Sequence, residues 1–191
     1  MQQPLVTLSR QPVVDLRERA SLPSVFEAQS VLDVRQSSGG FEPVQRLIEV
    51  PSRRNYDRYE GPLTWSRDFD TTAWDLISAF VDERRIGGII VAAGHPGVAL
   101  FEGRTDPSGL WDLRVASAYP RLGIATTLCR AARKWAQQRG CIERKVETQN
   151  TNPAACKFYL HNGFVLFDVR PGAYRELPDD VQLIWRMRLD G

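Results

Sequence analysis

Residues 152–159 combine an amide, a small side chain and a phenol at a spacing that could serve acid–base chemistry. If this segment is helical, Asn152, Ala155 and Tyr159 lie on one face, because they are three and then four residues apart. A phenol, with an ordinary pKa of about 10, suits a general acid that protonates a leaving thiolate. The same residues also fit a simple helix cap at Asn152 and a packed ring at Tyr159, so both interpretations stay open here.

A second candidate site is the turn that leads from a predicted strand into a predicted helix at residues 115–125. Gly123 and Ala125 are small enough to let the backbone come close to a bulky anion. The start of a helix offers unpaired N–H groups and a positive dipole, which favour phosphate. A tight turn without any ligand would use the same residues, so this motif alone is not specific.

Hydrophobic patterning predicts the elements that position these residues. Apolar and polar residues alternate between Leu110 and Val115, which is typical of a strand with one buried face. A helical stripe begins at Gly123, and Asn152 followed by Pro153 marks the start of a second helix. Patterning also predicts a short helix starting at Ser21, turns at 37–40 and 105–109, a loop at 53–62, and strands at 45–50, 74–81, 86–93, 98–101, 142–149, 164–169 and 181–189.

Length and composition restrict the class of protein. A chain of 191 residues, 42% of them hydrophobic, predicts one globular domain. Residues 45–191 are expected to form that domain, with residues 1–44 as an extension or as its first elements. A net charge of +2 argues against a nucleic-acid partner. The longest apolar run is far shorter than the roughly 20 residues that cross a bilayer, and no signal peptide is visible, which together predict a cytoplasmic protein without a membrane partner.

Cysteine and histidine usage argues against disulfides and metals. Cys129, Cys141 and Cys156 form no Cys-x-x-Cys pair, and reduced thiols are typical of the cytoplasm. The two histidines, His95 and His161, lack the spacing of metal ligands. We therefore predict no metal site.

Residues 110–128 and 146–164 together resemble the GNAT superfamily of acetyl-CoA-dependent N-acetyltransferases. The likeness rests on the loop Gly123-Ile-Ala125 and on the later pattern Asn-x-x-Ala-x-x-Phe-Tyr-x-x-x-Gly-Phe of residues 152–164. Further segments look like the streptothricin-acetyltransferase-like branch, namely 110–115, 146–152, 173–178 and 183–185. The resemblance implies an α/β (α+β) fold in which a mixed, largely antiparallel central sheet is flanked by helices.

The resemblance also implies a mechanism and the residues that carry it. In such enzymes a primary amine attacks the thioester of acetyl-CoA directly, without an acyl-enzyme. Strand amides around Leu113 and Val115 would polarise the thioester carbonyl. Asn152 would contact the pantetheine arm, and Tyr159 would act as the general acid. The pyrophosphate would be held by the loop residues Arg121, Leu122, Gly123, Ile124, Ala125 and Thr126.

This reaction also needs a base, because an alkylammonium with a pKa of about 10 must lose a proton before its nitrogen attacks. Glu147 and Asp112 are the candidate carboxylates, acting directly or through water. Each could instead neutralise Arg114 or a cationic substrate. For Asp112 the two alternatives are equally supported.

The predicted acceptor is a primary amine of a small molecule, with a streptothricin-like antibiotic as one candidate. An aromatic and acidic wall suits such a cation. Most residues that could form this wall would also fit a hydrophobic core. The candidates are Tyr56, Asp57, Trp65, Trp111 and Tyr174.

The phosphate loop departs from the family pattern, because Pro120 stands where that loop usually opens with a charged or polar residue. Proline has no N–H to donate, and Arg121 could supply the lost positive charge. The departure supports an alternative function, an acyl-CoA-binding regulatory protein with little turnover. A further alternative is a peptide or protein N-acetyltransferase, which would have the same CoA-binding site. Exposed sheet edges would also allow a homodimer.

Overall fold

A large mixed sheet and a separate two-stranded hairpin contain the strands of the fold. A computed structural model describes residues 4–13, 16, 22, 24–59, 61–119 and 122–189. The strands in that part of the chain are β1 (Thr7–Pro12), β2 (Val25–Ser37), β3 (Gly40–Asn55), β4 (Trp74–Val81), β5 (Arg84–Ala93), β6 (Pro107–Val115), β7 (Glu143–Gln149), β8 (Val165–Arg170) and β9 (Gln182–Arg188). The helices are α1 (Trp65–Asp68), α2 (Ile124–Gln138) and α3 (Pro153–His161), with short 3₁₀ helices at Tyr56–Arg58 and Ala99–Phe101.

The main sheet has seven strands in the order β1-β4-β5-β6-β7-β9-β8. Strands β6 and β7 run parallel, and the other neighbours pair antiparallel. The predicted β4–β5 hairpin turns at Asp82 and Glu83, whose φ angles of 46° and 64° fit a type I′ turn. The prediction of a mixed, largely antiparallel sheet is confirmed, and β1 builds part of residues 1–44 into its edge.

The parallel pair β6 and β7 separates part-way along its length. Its ladder ends at the pair formed by Leu110 and Val146. On the opposite side of β6 the register with β5 shifts after Ile90, which leaves Trp111 without a partner in the ladder. Such a bulge bends the strand that carries it. The C-terminal halves of β6 and β7 therefore diverge and leave a cleft between them.

Two hydrophobic clusters cover the two faces of the sheet. One contains the predicted stripe of α2, with Leu128 and Ala132 fully buried, together with α3. The other contains α1 and the 3₁₀ helix Ala99–Phe101. The Trp135 indole of α2 donates a 2.6 Å hydrogen bond to Asp75 of β4, which fixes the helix against the sheet. None of the described helices is long and apolar enough to cross a membrane.

The β2–β3 hairpin corrects two predictions. The short helix predicted from Ser21 is wrong for residues 25–27, which form the start of β2; Ser21 itself lies outside the described residues. The strand predicted to end at Pro51 continues to Asn55. Ala28 pairs with Ser52, and the next pair joins Ser30 to Leu47. Residues 48–51 therefore bulge out of the ladder, and the strand resumes its pairing after them. A proline in such a bulge needs no N–H partner.

Residues 98–101 were predicted to form a strand, and this is wrong. They enter a 3₁₀ helix that buries Leu100 and Phe101 against the sheet. A short apolar run satisfies either kind of buried element, so periodicity could not separate them. The turn predicted at 105–109 is also shorter than expected, because β6 begins at Pro107.

Candidate active site

The cleft between the separated halves of β6 and β7 is a cavity of about 390 Å³. Helix α3 lies along it, and the segment around the first 3₁₀ helix, α1 and the loop before β9 complete its walls. The structure thus brings together residues that lie far apart in the sequence. Nine of the predicted site residues line the cavity: Tyr56, Trp65, Trp111, Asp112, Leu113, Glu147, Asn152, Tyr159 and Tyr174.

Tyr159 reaches this cavity from the buried face of α3. Its side chain is 6% exposed, and its ring lies edge-on to those of Phe158 and Phe164, with centroids 5.2 and 5.5 Å away. Burial raises the pKa of the Tyr159 hydroxyl well above its ordinary value, and the neighbouring Cys129 and Asp112 add to this effect. Within the described part of the chain no hydrogen bond holds the hydroxyl. The phenol therefore keeps its proton and has it free to donate.

Glu147 is the carboxylate at the centre of a polar network in the cavity. It accepts a 2.6 Å hydrogen bond from the Tyr174 hydroxyl and a 2.8 Å bond from the Gln182 amide. Gln149 in turn donates to the Tyr174 oxygen at 3.1 Å. Burial and the negative charge of Glu147 raise the pKa of Tyr174, so its hydroxyl stays a donor. This network keeps Glu147 as a hydrogen-bonded acceptor beside the space that a substrate would fill.

Asp112 is held in an ion-pair cluster around Arg114. The Arg114 Nε lies 3.0 and 3.1 Å from the two Asp112 oxygens, and its two terminal nitrogens contact Asp57 at 2.6 and 3.0 Å. Burial works against the charge of Arg114, but both carboxylates outweigh it and raise the Arg114 pKa. The structure therefore shows the ion pair between Asp112 and Arg114 that the sequence left open. Asp112 still lines the cavity.

Asp57 lies behind the cavity wall rather than in it. It is not among the residues that line the cavity. Besides Arg114, its carboxylate accepts a 2.9 Å hydrogen bond from the backbone N–H of Ser24. These contacts position the chain segment next to Asp57, and its contact with the substrate stays a prediction.

Tyr56 is tied to the opposite wall of the cavity. Its hydroxyl lies 3.2 Å from the Thr151 hydroxyl, which donates a 3.0 Å bond to buried Asp180. Arg54 contacts the other Asp180 oxygen at 3.0 Å. These bonds join the end of β3 to the loop after β7 and the loop before β9. They hold the Tyr56 ring in place at the cavity.

The predicted phosphate loop forms the start of α2. Gly123 has φ of 64°, a left-handed conformation that glycine adopts readily, and no side chain caps the helix. The first-turn N–H groups are therefore free to bind an anion. The Ile124 side chain is buried in the core, so only its backbone can serve this site. Leu122, Ala125 and Thr126 flank the same turn, whereas Pro120 and Arg121 lie outside the described residues.

Two predicted CoA contacts also have structural roles. The Asn152 side chain accepts a 3.1 Å bond from the N–H of Ala155, so it caps α3 while it lines the cavity. Val115 pairs with Gly87 at the end of β6 and packs on the core without lining the cavity. Leu113, two residues earlier, does line it.

Several residues in the cavity or beside it were missed in the sequence. Tyr59 and Phe69 extend the aromatic wall, and Gln149 and Gln182 complete the network around Glu147. Gln149 could have been found, because it follows Glu147 by two residues and so shares its face of the strand. Gln182 comes from a distant strand and has no local signal.

Residues 41–164 match the sequence profile of the Acetyltransferase (GNAT) family. The chain belongs to this family. It is 28% identical over 153 residues to a streptothricin acetyltransferase of Escherichia coli, covering 80% of this chain and 78% of that protein. It is also 28% identical over 108 residues to streptothricin acetyltransferase A of Bacillus subtilis (strain 168), covering 56% of this chain and 57% of that protein.

A solved structure shows the same fold over nearly the whole chain. It is the complex with acetyl coenzyme A of a protein from Bacillus anthracis str. Ames described as a streptothricin acetyltransferase. The TM-score is 0.76 at 21% identity, with 97% of this chain and 99% of that chain covered. The likeness shows the fold, and family membership makes this GNAT protein an acetyl-CoA-dependent N-acetyltransferase.

The cleft of this GNAT enzyme fits acetyl-CoA. The diverging strands leave backbone groups of β6 beyond Leu110 unpaired on the β7 side, where an amide-rich pantetheine arm could bind. The uncapped start of α2 offers N–H groups to a pyrophosphate. Among the described residues no cluster of His, Cys, Asp and Glu could hold a metal ion.

Proposed function

We propose that this enzyme transfers the acetyl group of acetyl-CoA directly to a primary amine of a small cationic molecule. One observation carries the proposal: Tyr159 and Glu147, whose carboxylate is hydrogen-bonded, line the same cavity. A proton donor and a proton acceptor are the two groups that direct transfer needs. The names of the similar proteins support a streptothricin-like antibiotic as the acceptor.

The charges at the cavity favour a cation. Asp112 and Glu147 line it together with Arg114, and Asp57 also pairs with Arg114. Among the described residues that line the cavity there are therefore two carboxylates and one guanidinium. The aromatic rings around them can contact an ammonium group through their faces. A cavity of about 390 Å³ is of the size that small-molecule sites have.

In the proposed mechanism Glu147 takes a proton from the bound ammonium group, directly or through water. The neutral nitrogen then attacks the thioester carbonyl, which backbone N–H groups of β6 near Leu113 polarise. As the carbon–sulfur bond breaks, Tyr159 gives its proton to the sulfur. The pyrophosphate binds the N–H groups at the start of α2. The cytoplasmic location and the homodimer stay predictions.

The proposal is tested by the release of CoA thiol from acetyl-CoA over a panel of amines. The panel contains streptothricin, lysine-like diamines, aromatic monoamines that are neutral at pH 7 and peptides with a free N-terminus. We expect turnover with the small cationic amines and little with the neutral ones. A preference for peptides would replace the small-molecule acceptor with a protein. Tight CoA binding without turnover on any amine would show a binding protein and overturn the proposal.

A further inference from the structure

Arg144 of β7 is a buried cation that has no acidic partner in the part of the chain that the structure describes. The residue is 1% exposed, and its terminal nitrogens contact the sulfur atoms of Cys129 at 3.6 Å and of Met187 at 3.9 Å. Its guanidinium carbon lies 5.2 Å from the centroid of the Phe164 ring. The Nε atom is buried, with no partner among the described residues. Burial accordingly lowers the pKa of Arg144.

The neighbouring residue shows how unusual this is. Lys145 is also 1% exposed, but its ammonium group pairs with Glu102 at 2.5 Å. Successive residues of a strand point to opposite faces of the sheet. Lys145 therefore lies on one face of β7 with an acidic partner, and Arg144 lies on the other face without one among the described residues. A buried charge without a partner costs free energy. A positive charge kept at such a cost suggests a role beyond packing.

Arg144 lies behind the proposed general acid. The Arg144 guanidinium lies over the Phe164 ring. The Phe164 ring in turn packs edge-on against the Tyr159 ring, with centroids 5.5 Å apart. Among the described residues, Tyr159 interacts electrostatically with Cys129 of α2, Asp112 of β6, Arg144 of β7 and Cys156 of its own helix. Arg144 is the positive member of this set.

We propose that the buried Arg144 guanidinium stabilises the negative charge that forms on the Tyr159 oxygen when Tyr159 gives its proton to the CoA sulfur. This inference rests on the proposed function. In that step the carbon–sulfur bond breaks, its electron pair stays on sulfur, and sulfur takes the Tyr159 proton. The phenolate then regains a proton from the acetylated nitrogen, directly or through water, as that nitrogen becomes the neutral amide. A fixed charge in a buried site acts on a developing charge more strongly than it would in water.

The direction of the electrostatics agrees with this role. Burial raises the pKa of Tyr159, and Arg144 acts against that rise. Removing Arg144 should therefore make Tyr159 a weaker acid and slow the step in which the carbon–sulfur bond breaks and CoA leaves as the thiol. Arg144 acts through Tyr159, so it is a positioning residue.

The test compares Arg144→Met with Lys145→Met, its matched control on the same strand. Methionine fills apolar space and removes an unpaired charge, so Arg144→Met should unfold at no lower temperature than the parent enzyme. Its kcat should fall about tenfold with an unchanged Kd for CoA, and Arg144→Lys, which keeps the charge, should recover most of the loss. Lys145→Met should lower the unfolding temperature, because Glu102 loses its buried partner and keeps only the more exposed Arg170, and it should leave kcat unchanged.

A double-mutant cycle with Tyr159→Phe decides whether Arg144 acts through the phenol. We expect no further loss of kcat when Arg144→Met is added to Tyr159→Phe. Trifluorotyrosine placed at position 159 gives a second readout, since its phenolate can be titrated by absorbance. Its pKa should be higher in Arg144→Met than in the parent or in Lys145→Met.

The possible failures are distinguishable. If Tyr159→Phe alone turns over at the parent rate, the proposed acid role of Tyr159 fails. If Tyr159→Phe is slow but trifluorotyrosine titrates identically with and without Arg144, only the role of Arg144 is overturned. The role of Arg144 is likewise overturned if Arg144→Met lowers kcat by the same factor in the Tyr159→Phe background as in the parent.

Discussion

The Tyr174 hydroxyl donates a 2.6 Å hydrogen bond to the Glu147 carboxylate, which joins the loop before β9 to the open edge of β7. With the bond from Gln182 it holds the carboxylate in one orientation. Both donors are neutral, so no cation among the described residues compensates the negative charge of Glu147. The carboxylate is therefore both fixed and able to accept a proton from a bound ammonium group.

Glu147→Gln should lower kcat/KM at neutral pH by about 100-fold, because the amide cannot take the ammonium proton. The deficit should shrink toward pH 10, near the ordinary pKa of about 10 for an amine, since the substrate then loses its proton to water. Steady-state kinetics over this pH range measure the effect. Glu143→Gln, on the same face of β7 but paired with Arg104, is the control and should retain the parental pH profile. Equal rates for Glu147→Gln and the parent at neutral pH would exclude Glu147 as the base.

Tyr159→Phe should lower kcat by about 100-fold while the Kd for CoA stays unchanged, because only the proton donor is lost. The acid must be protonated, and burial raises the pKa of Tyr159. Its deprotonation should therefore cause no fall in kcat below about pH 10, the ordinary value. Rapid-mixing measurements of thiol release test both points. A fall of kcat through pH 8 that Tyr159→Phe abolishes would contradict the raised pKa.

Asp57→Asn should destabilise the fold by about 2 kcal/mol, because buried Arg114 keeps one carboxylate instead of two. The KM for the amine should rise, since Asp57 holds the segment that carries Tyr56. Urea unfolding and steady-state kinetics measure the two effects. Asp33→Asn is the matched control, because it breaks an exposed pair with Arg46 and should change neither quantity. If Asp57→Asn keeps the stability and the KM of the parent, Asp112 alone is enough to compensate the buried charge of Arg114.

The parts of the site that lie on regular elements could be predicted from local sequence. Asn152 followed by Pro153 marked the start of α3, and the helical period then placed Tyr159 on the face of Asn152. Alternation along β6 placed Trp111 and Leu113 in a strand. In each case the signal and the structure it specifies lie within a few residues of each other.

Other parts had no local signal. The pair of Asp57 and Arg114 joins residues far apart in the chain, and nothing near either residue indicates the other. The β2–β3 hairpin exposes much of both faces, so it lacks the alternation that a half-buried strand shows. Arg144 looks like a surface residue in the sequence, because its burial depends on α2 and β9 closing over it.

Gly123→Ala should weaken CoA binding at the start of α2. The residue has φ of 64°, and a Cβ there would meet no atom within 4 Å, so its cost is backbone strain of about 1 kcal/mol. Gly103→Ala is the matched control, because Gly103 has φ of 78°, equally open surroundings and a position away from the phosphate loop. Both variants should lose similar stability in urea, while calorimetric titration with CoA should show weaker binding in Gly123→Ala alone. Unchanged CoA affinity in Gly123→Ala, with the expected loss of stability, would place the pyrophosphate elsewhere.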